Sequence, residues 1–340
     1  MKALTRQQIA AWLDELAQQQ QLIAPVQVAG LALYRQQADS RQIDWDYGRP
    51  EMSAKEFFFP PTERLMTITR HADQVEITET LPHTPQVLFG LRPCDARGLL
   101  ALDAMFIDTE PVDPYYAGRR EQTTLIGLAC REMGETCFCT TTGGAPDDPT
   151  GMDVMLFEEE GGYRVEVYTE KGFQIVQGLG VWEAAQPGSL NESPTPLTPI
   201  PLPPKEAWPA QFASPFWAEF SERCLSCRAC AYVCPTCRCF DLRDEALPAE
   251  NGQQVYERVR CWDSCAGTVY RRIAGGHNPR AAKGERMRNR FMCKFYYYPE
   301  QYGAEKVGPA ACTGCGRCID ACPVNIDITE VLAHLVEVSV

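Results

Sequence analysis

The sequence predicts an α+β protein with an N-terminal mixed α/β domain over residues 1–185, a proline-rich linker over 186–216 and a mainly α-helical domain over 217–340. Three observations carry this prediction. Short apolar runs alternate with turn residues in the first part, nine prolines stand between residues 187 and 215, and thirteen of the seventeen cysteines lie in the last part. A chain of 340 residues is long enough to form more than one domain.

The N-terminal residues predict a helix. Leu4, Ile9, Trp12, Leu13 and Leu16 recur at the spacing of one helical face, and the segment lacks the apolar core of a signal peptide. No apolar run approaches the roughly 18–20 residues that span a bilayer. We therefore expect a cytoplasmic protein without membrane insertion.

Short strands are predicted to follow this helix. Apolar and polar residues alternate over residues 163–167, which is typical of a strand with one face in solvent. The apolar runs cover residues 26–34, 57–59, 65–69, 75–78, 87–91, 123–129, 154–157 and 163–168. None of them leads into a GxGxxG turn, and the sequence has no GxxxxGK[ST] loop. We therefore expect no flavin or nucleotide in this chain.

The proline-rich stretch marks the predicted domain boundary, because dense proline disfavours both helix and sheet and favours extended chain. Beyond it, residues 328–338 predict a closing helix whose apolar face contains Val331, Leu332, Leu335 and Val336.

Two cysteine runs in the last part share one spacing, C-x2-C-x2-C-x3-C-P. The first runs from Cys224 to Pro235 and the second from Cys312 to Pro323. Such a run directs three thiolates at one iron–sulfur cubane, and its fourth cysteine ligates the other cluster, as in bacterial ferredoxins. The predicted ligands are Cys224, Cys227, Cys230 and Cys322 for a [4Fe–4S] cluster A, and Cys312, Cys315, Cys318 and Cys234 for a cluster B.

Two other interpretations of these runs are weaker. A zinc site needs only four ligands and no proline after the fourth cysteine, so two complete copies argue against it. Cys230, Cys234 and Cys237 also match the spacing of enzymes that cleave S-adenosylmethionine. We reject that interpretation because the first two belong to the ferredoxin pattern and no barrel of alternating strands and helices surrounds them.

A third group of cysteines lies in the N-terminal domain. Cys94 and Cys130 follow the predicted strands at 87–91 and 123–129, and Cys137 and Cys139 precede a glycine-rich segment. Two neighbouring strands would bring these thiols together, and glycines allow backbone N–H groups to approach cluster sulfides. The spacing alone leaves open a third cluster or ordinary buried thiols.

The remaining cysteines are harder to assign. Cys237, Cys239, Cys261 and Cys265 are candidates for an extra site, either a fourth cluster or zinc, although packing beside the clusters is the simpler interpretation. Cys293 stays unassigned, and we give His277 no ligand role.

The net charge of −13 argues against the whole surface binding nucleic acid. Residues 256–295 nevertheless carry ten basic side chains against three acidic ones. Their positive charge is suited to stabilising anionic clusters and raising their potentials, or to docking an acidic partner subunit; an ordinary solvated face is the third interpretation.

Several motifs in one order carry a resemblance to a known family. They are Cys-Asp-Ala-Arg at 94–97, Cys-Phe-Cys at 137–139, Cys-Pro-Thr-Cys-Arg-Cys-Phe-Asp at 234–241, Trp-Asp-Ser-Cys at 262–265 and Gly-His-Asn-Pro-Arg at 276–280. The chain resembles the iron–sulfur beta subunit of sulfhydrogenases, to which the corresponding iron–sulfur subunit of anaerobic sulfite reductase is similar. The resemblance covers residues 55–325, and Cys261 and Cys293 depart from the family pattern.

The resemblance implies an iron–sulfur electron-transfer subunit of a multi-subunit cytoplasmic oxidoreductase, of the hydrogenase or the sulfite or sulfur reductase type. It implies one partner that carries FAD and binds NAD(P)H, and another with a NiFe hydrogenase or sirohaem reductase centre. It also implies a third [4Fe–4S] cluster, cluster C, on Cys94, Cys130, Cys137 and Cys139.

No acid–base pair or nucleophile stands out in the sequence, so we expect no catalysis by this chain alone. Two alternatives to an electron-transfer subunit stay open. In the first, the chain is a metal-stabilised scaffold or a redox-sensing protein. In the second, it is a reductase that acts at a site-differentiated cluster.

Overall fold

A computed structural model of the chain describes residues 3–71, 74–179, 183–184, 199–248, 253–303 and 308–339. Residues 186–198 of the predicted linker lie outside these ranges. None of the helices in the described ranges has the length and apolar character needed to cross a bilayer.

The strands, numbered along the chain, are β1 (Gln21–Val28), β2 (Leu31–Gln37), β3 (Thr62–His71), β4 (Gln74–Glu79), β5 (Gln86–Leu91), β6 (Thr123–Leu128), β7 (Val154–Glu159), β8 (Gly162–Val167), β9 (Glu183–Ala184), β10 (Phe240–Leu247) and β11 (Gln254–Trp262). The helices are α1 (Arg6–Gln19), α2 (Pro93–Phe106), α3 (Pro114–Gln122), α4 (Glu170–Val176), α5 (Ala207–Ala210), α6 (Phe216–Ser221), α7 (Ala229–Tyr232), α8 (Lys283–Met292), α9 (Tyr298–Tyr302), α10 (Arg317–Asp320) and α11 (Ile328–Glu337). One π-helical turn, Cys293–Tyr297, joins α8 to α9.

Seven strands form the larger sheet, in the order β2-β1-β5-β6-β7-β8-β9. Its centre is parallel, because β1, β5, β6 and β7 run in the same direction. Apolar side chains cover both faces: α1 packs against one face, and α2 and α3 pack against the other. Parallel strands are typically buried on both faces in this way, and their carboxyl ends meet at one edge of the sheet.

The smaller sheet joins the two halves of the chain. Its order is β10-β11-β3-β4, so a hairpin from the C-terminal half pairs with a hairpin from the N-terminal half. Trp262 at the end of β11 packs with Phe59, and its indole N–H donates to the Phe59 carbonyl at 2.9 Å. The predicted boundary at 186–216 stays a prediction, and this pairing crosses it.

A third apolar cluster stabilises the C-terminal region. It gathers α6, α8 and α11 around Phe291 and Leu332. The described end of the linker packs against it: Trp208 is 1% exposed and stacks on Phe295 at 5.2 Å between ring centroids.

The chain is a mixed α/β protein, as predicted. The first helix is confirmed as α1, the closing helix as α11, and most of the predicted strands are present. The run at 57–59 is not a strand; it begins at the last residue of a 3₁₀ turn, Ala54–Phe57, and three residues are short for a strand. The run at 26–34 is not one strand either, because it contains the end of β1, a turn and the start of the antiparallel strand β2. Strands β10 and β11 lie in the part predicted to be mainly helical.

Candidate iron–sulfur centres

The two cysteine runs follow the same backbone path. Ser226 and Arg228 in the first run have φ of 55° and 69°, and Gly314 and Gly316 at the matching positions of the second have 62° and 73°. In each run these left-handed turns lead into a short helix, α7 or α10, that carries the third cysteine. The two short helices contact each other, so the runs lie side by side as the ferredoxin pattern requires.

The predicted cluster B ligands lie together in the interior. Cys234, Cys312 and Cys315 are buried. Burial raises the pKa of Cys312 to about 11, and the nearby Cys234 and Cys315 add to the rise. Burial also raises the pKa of Cys318, and the other three thiols add to it. Four thiols that influence one another in a dry site are a suitable donor set for a cubane, whose iron would hold them as thiolates.

The predicted cluster A ligands lie nearer the surface. Cys227 is exposed, and burial raises the pKa of Cys230, whose thiol lies near Cys224 and Cys227. Two of the sulfurs already accept backbone hydrogen bonds: Cys224 Sγ from the Ser226 N–H at 3.3 Å and Cys322 Sγ from the Ile326 N–H at 3.2 Å. N–H groups directed at ligand sulfurs stabilise the reduced cluster and raise its potential.

The predicted cluster C cysteines line one cavity of about 350 Å³ at the carboxyl edge of the larger sheet. Cys94 lies in the first turn of α2, directly after β5, and Cys130 follows the neighbouring strand β6. Cys137 and Cys139 complete the lining, together with Cys315 of the second run. Burial raises the pKa of the Cys94 thiol well above its ordinary value, and the neighbouring Asp95 adds to the rise. Iron binding, rather than the position at the start of α2, would therefore hold Cys94 as a thiolate.

Arg92 connects the two segments that carry Cys94 and Cys130. Arg92 is 4% exposed, and its guanidinium donates to the carbonyls of Gly48 at 2.7 Å and Ala129 at 2.8 Å, among others. These bonds join the start of α2 to the end of β6, so they hold Cys94 and Cys130 at a fixed separation.

The lining of the cavity fits an anionic group. Arg49 donates to Cys137 Sγ at 3.9 Å, and its buried Nε has no hydrogen-bond partner among the described residues. An unpartnered buried donor is costly, and a sulfur-rich anionic cluster on four thiolates would supply acceptors. The donor set and this free N–H together fit a [4Fe–4S] cluster.

The cavity adjoins the predicted ligands of cluster B through the second cysteine run. A Cβ on Gly314 would lie 2.4 Å from the Phe138 carbonyl oxygen, and one on Gly316 would lie 2.3 Å from Thr136 Oγ1. The Phe138 N–H donates to the Gly314 carbonyl at 2.8 Å. Glycine is thus needed where segment 136–139 packs on the run, whereas the first run carries side chains at the same positions.

Buried cations surround these thiols, and sequence reasoning did not single them out. Lys294 is 5% exposed and donates to Cys234 Sγ at 3.1 Å. Burial lowers the Lys294 pKa, but the thiols of Cys234, Cys237 and Cys312 outweigh burial and raise it well above its ordinary value. Arg290 is likewise buried, next to Cys230 of site A and Cys318 of site B. The basic composition of residues 256–295 was the available signal.

The structure brings together three of the four candidate cysteines of the extra site. Cys237, Cys239 and Cys265 lie together, with Cys293 as their fourth neighbour. Cys261 is in β11 next to Trp262, so its side chain lies on the face of the sheet opposite to that of Trp262. His277 lies in an exposed loop.

Comparison with known proteins agrees with this geometry. Residues 223–326 match the family described as 4Fe-4S dicluster domain. The chain is 32% identical over 315 residues to sulfhydrogenase 2 subunit beta of Pyrococcus furiosus, with 87% of this chain and 86% of that protein covered. No solved structure matches the chain significantly. The chain therefore belongs to the family of sulfhydrogenase beta subunits and contains an iron–sulfur dicluster domain.

Proposed function

We propose that this chain is the electron relay of a multi-subunit cytoplasmic oxidoreductase of the hydrogenase or the sulfite or sulfur reductase type. One partner would carry FAD and bind NAD(P)H, and another would carry a NiFe or sirohaem centre. When bound, the [4Fe–4S] clusters would accept and release one electron at a time. The observation that carries this proposal is that the three groups of cysteines adjoin one another.

In this proposal the ligand groups of clusters A, B and C, here called sites A, B and C, form a row. Cys318 and Cys230 share the neighbour Arg290, which links sites A and B. Cys315 is a ligand of site B in the proposal and also lines the cavity of site C. Site B therefore lies between the other two.

The two ends of this row differ in their surroundings. Cys227 of site A is exposed, beside Leu225, which is 63% exposed. The cavity of site C is bordered by Glu132 and Glu135, which are exposed. An apolar contact at one end and an acidic rim at the other are suited to two different partners.

Anaerobic purification of the native complex tests the proposal. We expect this chain to co-purify with one subunit that contains flavin and with a second that contains a catalytic metal centre. The isolated chain should exchange electrons with dyes and show no turnover of hydrogen, sulfite, polysulfide or formate. Turnover by the isolated chain would favour a reductase with a site-differentiated cluster, and a colourless, iron-free chain would favour a scaffold; either result would overturn the relay.

A further inference from the structure

Four cysteines outside the three sites converge from separate segments. Cys237 and Cys239 precede β10, Cys265 follows β11, and Cys293 follows α8. The β10–β11 hairpin brings the first two segments together, because the Asp263 N–H donates to the Cys239 carbonyl at 2.9 Å. Helix α8 then supplies Cys293, whose sulfur lies 3.4 Å from the Arg238 guanidinium.

The four thiols are near neighbours. Cys265 and Tyr270 both lie beside the Cys239 side chain. Cys265 interacts in turn with Cys237 and Cys293. Arg238 lies among them and interacts with Cys293, Cys239 and Cys237.

Two cations, Lys55 buried and Arg238 partly buried, adjoin this group without a carboxylate partner in the described part of the chain. Lys55 is 2% exposed, and its ammonium donates to the Cys237 carbonyl at 3.0 Å. Arg238 stacks on the Tyr298 ring at 3.6 Å. Buried cations require compensating negative charge. Neutral thiols supply none, whereas thiolates on a metal cluster do.

We propose that Cys237, Cys239, Cys265 and Cys293 bind a fourth [4Fe–4S] cluster, cluster D. The ligand pattern repeats that of site C, where a C-x-C pair joins two single cysteines. A cubane suits the site better than zinc, because among the described residues no three His, Cys, Asp or Glu side chains lie close enough together to hold a single metal ion. A cubane instead distributes its thiolates over four corners.

Cluster D adjoins cluster B. The Cys237 thiol lies beside that of Cys234, a predicted ligand of cluster B. Lys294 interacts with both sulfurs. Site D is therefore a branch beside the row of sites A, B and C, and its existence does not depend on cluster C.

The test is a metal and sulfide analysis of the full chain, purified anaerobically and reconstituted with iron and sulfide. With four cubanes the wild-type chain should contain about sixteen irons. Cys265→Ala and Cys293→Ala should each lose about a quarter of the iron. Cys261→Ala is the matched control, since it removes a cysteine of the same hairpin outside the group, and it should leave the iron content unchanged.

Other results would overturn the proposal. One is a wild-type content of about twelve irons with no change in the variants; another is one zinc per chain that both variants lose. If a variant does not fold, a wild-type count of about sixteen irons still supports cluster D, and a count of about twelve that Cys137→Ala lowers to about eight overturns it. Cys137→Ala separates the two inferences, because it should remove cluster C and leave cluster D.

Discussion

Arg317 donates two hydrogen bonds, both 2.7 Å, to the two carboxylate oxygens of Asp95. Arg317 lies between Cys315 and Cys318 of the second ferredoxin run, and Asp95 follows Cys94 of the N-terminal site. Both side chains are 1% exposed. This bidentate pair fixes the position of site C relative to site B, and a buried pair of this kind specifies geometry more than it adds stability.

Removing one partner of this pair should be costly. Arg317→Met leaves the Asp95 carboxylate buried and unpaired, which we expect to destabilise the fold by about 3–5 kcal/mol. The double variant Asp95→Leu with Arg317→Met should recover much of that loss. Thermal unfolding of the reconstituted chain measures both. Arg41→Ala, which breaks an exposed pair with Asp39, is the control and should change little; a single variant as stable as wild type would contradict the expected role.

If cluster C exists, the removal of one of its ligands should cause a specific loss of iron. Cys137→Ala should remove about four irons and leave the ferredoxin-like pair intact, because Cys137 lines the cavity of site C and belongs to neither ferredoxin-type run. Iron analysis together with the EPR spectrum of the reduced chain measures this change. An unchanged iron content would remove cluster C from the account.

The contact between sites B and C predicts that the two cysteine runs tolerate an alanine substitution differently. Gly314→Ala places a Cβ 2.4 Å from a backbone oxygen at a positive φ, so we expect lower thermal stability and loss of iron from sites B and C. Ser226→Ala at the matching position of the first run should be tolerated, since a side chain is already present there. Equal behaviour of the two variants would argue against this packing.

The Lys294 ammonium should raise the reduction potential of cluster B. Lys294→Met removes a buried positive charge 3.1 Å from Cys234 Sγ, which should lower the potential by on the order of 60 mV, a tenfold change for a one-electron step. An EPR-monitored redox titration measures the shift. Lys205→Met is the control, because Lys205 is exposed and pairs with Glu300. A potential that rises or stays fixed in Lys294→Met would be inconsistent with charge stabilisation by this residue.

The sequence predicts the local features of this molecule best. The spacing of Cys224–Cys234 and of Cys312–Cys322 encodes a loop around a cubane without reference to the rest of the chain. The stripe of Ile9, Trp12, Leu13 and Leu16 likewise identifies α1 directly, and these side chains are buried.

Features that depend on tertiary contacts could not be predicted. Strand β10 is rich in charged residues and largely exposed, and it is a strand because it pairs with β11, which in turn pairs with β3. The place of Cys293 beside Cys265 depends on how α8 packs. The Arg317–Asp95 pair joins residues 222 positions apart, a relationship that no local pattern records.

The most direct test of the relay is a comparison of activities in the native complex carrying Cys137→Ala. The relay predicts that electron transfer between NAD(P)H and the terminal substrate falls at least about tenfold, equivalent to about 1.4 kcal/mol in a barrier. Dye-linked activities of the flavin partner and of the catalytic partner should each stay at the wild-type level. Undiminished end-to-end turnover in a complex shown to lack cluster C would contradict the account.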